Sequence, residues 1–210
     1  MNDLASAIPS ASSYSCTAFA GQRRVATGGL SHVACAAKLA LDEGELGSLL
    51  VFDDETCRQV EIDFRGTLES VRERAAFQES AMASRQPVEE DASTQSPRGP
   101  GRPKLGVVPR EVTLLPRHWE WLNSQPGGAS VALRKLVEDA RRANRETDRL
   151  RRNKEAVHRF LTDMAGDFPG YEETLRAFYA GDLAGMKERM ANWPPDIRDY
   201  AVRLVERTAS

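Results

Sequence analysis

The longest stretch of the chain without proline or glycine runs from Ala129 to Ala165. Through it, apolar or small residues recur at alternating intervals of three and four positions, which places them on one face of an α-helix. Because no helix-breaking residue interrupts the stretch, we predict one long helix from Ser130 to about Gly166. The residues on this face are Leu133, Leu136, Ala140, Ala143, Thr147, Leu150, Lys154, Val157, Leu161 and Met164.

Charge is distributed unevenly along the chain, although the net charge is only -2. Residues 1–96 carry 8 basic and 15 acidic side chains, residues 97–154 carry 14 and 6, and residues 155–210 carry 7 and 10. The basic centre between two acidic flanks indicates either a site for a polyanion or an electrostatic match within one molecule.

Apolar runs and cysteines bear on where the protein resides. No apolar run approaches the length of a membrane span, and residues 1–13 lack the features of a signal peptide, so we expect a cytoplasmic protein without membrane contact. Cys16, Cys35 and Cys57 are far apart and form no C-x-x-C pair. They are typical of buried thiols in a reducing compartment rather than of a disulfide framework or a zinc site.

Composition and periodicity divide the chain into five regions of an α+β protein. Residues 85–109 are rich in Pro, Glu, Ser, Gln and Gly, so we expect a disordered linker. The other predicted regions are a disordered tail at 1–13, a ββαββα domain with an antiparallel sheet at 14–84, a short strand with the long basic helix at 110–166, and a small helical bundle at 167–210.

Alternation and turn residues define the elements of the first domain. A hairpin begins near Tyr14, and Gly28-Gly29 ends it. We then predict a helix capped by Ser31, strands over Ser48 to Asp53 and Cys57 to Phe64, and a helix from Thr67 to about Ala83. In the carboxy-terminal half, Trp119 and Trp193 have the spacing of core residues, and apolar stripes predict three short helices packed on the end of the long one.

A Gly-Arg-Pro core with basic neighbours lies in the segment from Pro97 to Lys104. This segment resembles an AT-hook, which is narrow enough to enter the minor groove of A·T-rich DNA, where arginine is favoured. The resemblance implies DNA contacts by Arg98, Arg102 and Lys104. A basic Pro-Gly linker that only aids solubility is the alternative.

Residues 110–142 resemble the ribbon-helix-helix DNA-binding family. The resemblance is carried by a short strand candidate ending in Leu115-Pro116, by Trp119 and Leu122 on a first helix, and by Gly128-Ala129-Ser130 before a second helix. The strand and the first helix are shorter than in that family. A plain helical hairpin packed on the amino-terminal domain explains the same residues.

In the ribbon-helix-helix family, strands from two copies pair and enter the major groove of DNA. The resemblance therefore implies a homodimer, with Arg110 and Thr113 nearest to the bases and Arg117 near phosphate. The arginine-rich run from Arg141 to Arg152 could lie along phosphates, although such a run is more often a solvated helix face.

Patterns that would indicate an enzyme are absent from the sequence. Asp53-Asp54-Glu55 is typical of a turn rather than a cation site, and His32, His118 and His158 belong to no catalytic or metal-binding motif. We therefore expect no catalytic activity, no bound metal and no cofactor.

Taken whole, the chain resembles an uncharacterised bacterial family, number 2239 among the domains of unknown function, from about Tyr14 to Leu204. That resemblance implies no activity. It is carried by Leu50 to Asp54, Gly101 to Val108, Arg110 to Trp119, Pro126 to Arg134, Met164 to Asp167 and Trp193-Pro194.

Two functions follow from these patterns. The first is a regulatory or architectural protein that binds duplex DNA, and the second is a protein-interaction or scaffold protein whose basic helix pairs with its own acidic flanks. Basic residues that form an exposed stripe favour the first, and basic residues buried against acidic ones favour the second.

Overall fold

The structure is a computed structural model that describes residues 14–44, 47–83, 108 and 110–209. These residues fall into two compact units: the first comprises those up to 83 and from 149 onward, and the second those from 108 to 148. The strands are β1 (Cys16–Ala20), β2 (Arg23–Gly28) and β3 (Leu49–Asp53). The helices are α1 (Leu30–Asp42), α2 (Leu68–Ala83), α3 (Pro116–Ser124), α4 (Gly128–Ala165), α5 (Tyr171–Tyr179), α6 (Leu183–Arg189) and α7 (Pro195–Ala209).

The strands form an antiparallel sheet in the order β2-β1-β3. All five residues of the central strand β1 are buried. The predicted hairpin is confirmed, and Gly21, with a φ of 56°, supplies the left-handed conformation that its tight turn needs. Because successive strand residues point to opposite faces, the sheet contributes side chains to two separate hydrophobic clusters.

One face of the sheet packs against α1 and α2. Cys16 and Ala18 of β1 and Val51 of β3 belong to one buried cluster with residues of both helices. The helix residues in this cluster are Leu30, Val33, Ala34, Ala37, Val71 and Ala75. The α-helices at the amino-terminal side therefore cover a single face of the sheet.

The opposite face packs against helices from the carboxy-terminal part of the first unit. Phe19 and Phe52 point into a cluster with Phe160 of α4 and Tyr200 of α7. The ring centroids of Phe19 and Tyr200 are 5.4 Å apart, and those of Phe160 and Tyr200 are 4.6 Å apart. Trp193, which is 4% exposed, lies in the same cluster, as its spacing predicted. The three short helices α5, α6 and α7 are present as predicted.

The predicted fourth strand, from Cys57 to Phe64, is wrong, and the described part of this region is ββαβα. Only Gln59 makes a bridge, to Phe52, although the N–H of Val60 also donates to the carbonyl of Val51. The left-handed φ of 49° at Cys57 lies in the turn between β3 and this segment. Side chains of α2 replace the missing strand partner. Arg74 donates to the carbonyl groups of Asp63 and Arg65, and Gln78 donates to that of Glu61.

The predicted helix caps were partly correct. Thr67 caps α2, because its hydroxyl oxygen accepts from the backbone N–H of Ser70. Ser31 does not cap α1, whose N-cap is Gly29; the N–H and hydroxyl of Ser31 instead donate to Glu79 of α2. A carboxylate from a distant helix thus fills the role predicted for a local side chain.

The long helix is confirmed. α4 runs unbroken from Gly128 to Ala165, so it begins two residues before Ser130. Its residues up to 148 belong to the second unit and the later ones to the first. Residues 110–115, which were predicted to form a strand that pairs across a dimer, form neither a strand nor a bridge within the described part of the single chain. A β-strand needs a partner for its backbone groups, and the described residues provide none here.

Candidate nucleic-acid interface

The residues predicted to contact nucleic acid fall into two groups. Arg98, Arg102 and Lys104 lie outside the described residues. Arg110 and Thr113 are exposed in the segment that precedes α3, and Arg117 is exposed in the first turn of α3. Arg110, Thr113 and Arg117, which are the predicted contact residues that the structure describes, are therefore accessible to a ligand.

Helix α4 carries a further row of cations, which includes two arginines of the predicted basic run and one that precedes it. Arg134, Arg141 and Arg145 are separated by seven and four residues, so an α-helix directs all three within about 20° of one line. All three are exposed. We call them the arginine face. The spacing of the three arginines is present in the sequence, but the density of cations from Arg141 onward does not reveal that Arg134 belongs to the same face.

The arginine face is only partly neutralised. Arg141 forms an ion pair with Glu138, with 3.3 Å between Nη1 and Oε2, and both side chains are more than half exposed. Solvent screens such a pair strongly, so a phosphate can replace its carboxylate at small cost. Lys135 and Arg142 are also exposed and add charge beside the face.

Exposed apolar side chains accompany these cations in the second unit. Trp121 is 51% exposed and Trp119 is 36% exposed, so the prediction that Trp119 is a core residue was wrong. Leu122 is the residue of α3 that is buried. A helix of nine residues can bury only a narrow face. In α3 this face is formed by Leu122, and both indole rings lie at the surface.

A polar network in the first unit surrounds Asp54. Its Oδ1 accepts from Thr17 Oγ1 at 2.7 Å and from the Tyr200 hydroxyl at 2.8 Å, and its Oδ2 accepts from Ser15 Oγ at 2.5 Å. Burial, then the charges nearby, raise the pKa of Tyr200 far above its ordinary value. Burial likewise raises the pKa of Cys57 to about 12. These groups therefore keep their protons near neutral pH, which suits a structural network better than proton transfer.

Two of the three cysteines are buried as predicted, whereas Cys35 is half-buried. Across residues 14–44, 47–83, 108 and 110–209, no group of three or more His, Cys, Asp or Glu side chains is placed to hold a metal ion. Nor does any helix in this described part of the chain combine the length and hydropathy that crossing a membrane requires.

Comparison with known proteins gives one match. The model of a family described as an uncharacterized protein conserved in bacteria, DUF2239, matches residues 15–205. No curated protein and no solved structure matches the chain. The match lends no support to the ribbon-helix-helix or AT-hook resemblance.

Proposed function

The chain belongs to the bacterial family DUF2239, and we propose that it binds duplex DNA through the basic surface of its second unit. The observation that carries the proposal is the arginine face of α4. Exposed cations in one stripe are what a phosphate backbone requires, and cations buried against acidic flanks would have favoured a scaffold role.

The dimensions of the arginine face suit a nucleic-acid backbone. With a rise of 1.5 Å per residue, Arg134 and Arg145 lie about 16 Å apart along the helix. Planar guanidinium groups bind phosphate oxygens in pairs, and each contact releases condensed counterions from DNA. Such contacts give affinity without reading the base sequence.

Contacts from the preceding segments would add sequence preference. In this proposal Arg98, Arg102 and Lys104 form an AT-hook-like arm in the minor groove, and Arg110, Thr113 and Arg117 lie next to the duplex. The segment from Arg110 to Leu115 would pair with its counterpart in a second copy, as in ribbon-helix-helix proteins. Most residues of this segment are exposed, and among the described residues it has no strand partner, which supports that pairing.

A protein-interaction role is the second candidate. Most of the large apolar side chains that are exposed in the described residues belong to the second unit. An apolar surface of this kind commonly marks a protein interface. They are Val108, Val112, Leu115, Trp119, Trp121, Val131, Leu136 and Val137.

A salt series of DNA-binding measurements tests the first candidate. We expect the affinity for mixed-sequence duplex to fall steeply with salt, because log K decreases by about 0.9 per log unit of salt for each phosphate contact. Changing Arg134, Arg141 and Arg145 together to Gln should reduce the slope by up to about 3. Changing Arg102 and Lys104 to Ala should reduce it by up to about 2 and remove any preference for A·T-rich duplex.

The matched control is a triple change of Arg176, Arg189 and Arg198 to Gln, which removes the same charge from the first unit. This variant should retain the parent slope. Undetectable binding at about 50 mM salt would reject DNA binding and favour the protein-interaction role. Equal slopes for the parent and the arginine-face variant would reject the arginine face as the surface that contacts DNA.

A further inference from the structure

An open cleft of about 530 Å³ lies within the first unit, whereas the arginine face belongs to the second. It is formed by the part of α4 after residue 148, by α7 and by the turn after β3. Three arginines from two helices converge on it. The lining residues are Glu55, Arg149, Asn153, Arg203, Glu206 and Arg207.

Contacts with the protein hold two of these arginines in place. Arg207 donates to the backbone carbonyl of Asp54, and the side-chain amide of Asn153 donates to the carbonyl of Arg207 at 2.9 Å. The guanidinium of Arg203 lies 4.6 Å from the ring centroid of Tyr200, and its Nη2 is 3.8 Å from Asp54 Oδ1. The cations are therefore positioned before any ligand arrives, which lowers the entropic cost of binding.

The charge of the cleft favours an anion. Of its two carboxylates, Glu206 is paired with Lys187, with 3.2 Å between Oε1 and Nζ, and Lys187 is not a lining residue. Glu55 is exposed to solvent, which screens its charge. The lining thus carries three guanidinium groups and two carboxylates, while Asp54, 3.8 Å from Arg203, lies beside the cleft rather than in its lining.

We propose that this cleft binds a small phosphorylated ligand, whose phosphate groups contact the guanidiniums of Arg149, Arg203 and Arg207. Arginine is the side chain best suited to such groups, because its planar fork of donors matches two phosphate oxygens at once. A volume of about 530 Å³ accommodates a diphosphate with an organic substituent. This site does not depend on the DNA-binding proposal.

Calorimetric titration of the full chain with inorganic pyrophosphate tests the site. We expect saturable binding, and we expect Arg203→Gln and Arg207→Gln each to weaken it by about tenfold or more, since a charge-assisted hydrogen bond is lost. Arg176→Gln, which removes the same charge from α5, should bind like the parent. Thermal unfolding of each variant shows whether it is folded, and Arg203 provides the test if the loss of the Arg207 contact with Asp54 prevents folding.

Three results would overturn the proposal: no binding of pyrophosphate by the parent, an equal loss of binding in Arg176→Gln, or full binding by folded Arg203→Gln. A duplex DNA titration separates the source of the phosphate. If Arg203→Gln weakens DNA binding as much as pyrophosphate binding, the cleft belongs to a nucleic-acid surface, and the small-ligand proposal fails.

Discussion

At the residue scale, Asp54 connects three parts of the first unit. Its carboxylate accepts from Thr17 on β1 and from Tyr200 on α7, and its carbonyl accepts from Arg207. The Tyr200 side chain is fully buried, and Asp54 is the carboxylate acceptor of its hydroxyl. Asp54, which the sequence predicted to be a turn residue, therefore holds distant parts of the first unit together by hydrogen bonds.

We predict that Asp54→Ala lowers the free energy of unfolding by about 2–3 kcal/mol, because it leaves the Tyr200 hydroxyl buried without its acceptor. Urea unfolding of parent and variant measures the change. Glu55→Ala is the matched control, since Glu55 is the exposed neighbouring acid and should change the free energy by no more than about 0.5 kcal/mol. Equal effects of the two changes would show that the Asp54 network contributes little.

The two buried thiols make the stability of the first unit decrease at alkaline pH. Burial raises the pKa of Cys16 and of Cys57 from 9.0 to about 12. Above about pH 9 the unfolded chain loses these protons while the folded chain keeps them, so stability falls as pH rises toward 12. Within that window each thiol lowers the free energy of unfolding by up to about 1.4 kcal/mol per pH unit, and below the window it has no effect.

Unfolding measured between about pH 9 and pH 12 should show this decline. Cys57→Ala should remove the contribution of one thiol to this decline, so the free energy of unfolding should fall less steeply with pH. The contribution of Cys16 should remain. An unchanged slope in the variant would show that Cys57 does not titrate in this way.

At the element scale, the heptad face of α4 is covered unequally. Val157 and Leu161 are buried in the first unit, whereas Leu136 in the second unit is 46% exposed. Ala140, Ala143 and Thr147 are exposed as well. The same sequence pattern is thus core in one part of the helix and surface in the other.

We predict that the uncovered part of this face, together with the segment from Arg110 to Leu115, forms a homodimer. Light scattering at tens of micromolar should give about twice the chain mass of 23.2 kDa. Leu136→Glu should shift the protein to monomer, because burying the carboxylate opposes association. Ser130→Glu, on the same helix but off this face, should remain dimeric. A monomeric parent would remove the dimeric model of DNA binding.

At the scale of the whole molecule, the sheet and the carboxy-terminal helices of the first unit share one core. Phe19 and Phe52 lie in the same buried cluster as Phe160, Phe178 and Tyr200. Region 14–84 was predicted to be a domain distinct from the bundle at 167–210, yet one face of its sheet is completed by residues that follow in the sequence only after 148.

We predict that a fragment of residues 1–87 does not fold alone, because both phenylalanines would lose their covering helices. Its near-ultraviolet circular dichroism should lack the signal of fixed aromatic side chains. Adding a fragment of residues 149–210 should restore that signal. A cooperative thermal transition in the isolated 1–87 fragment would show that it is an independent domain.

The sequence by itself determined the elements whose signals are local. Periodicity without proline or glycine identified α4, and Thr67 marked the start of α2. Alternation with glycine turns predicted the hairpin, and the apolar run from Leu49 to Phe52 predicted β3. Each depends on residues within a few positions of one another, so backbone geometry and capping are sufficient to predict it.

Only the tertiary structure decided which helix and strand faces are buried and which groups form hydrogen bonds with the backbone outside regular elements. Alternation in Cys57 to Phe64 predicted a strand, but Arg74 and Gln78 of α2 donate to the carbonyl groups of Asp63 and Glu61 in the place of a strand partner. Spacing could not distinguish exposed Leu136 from buried Leu161, because burial depends on what packs alongside. The arginine cleft likewise joins Arg149 with Arg203 and Arg207, which are far apart in the sequence and meet only because α4 and α7 cover the same face of the sheet.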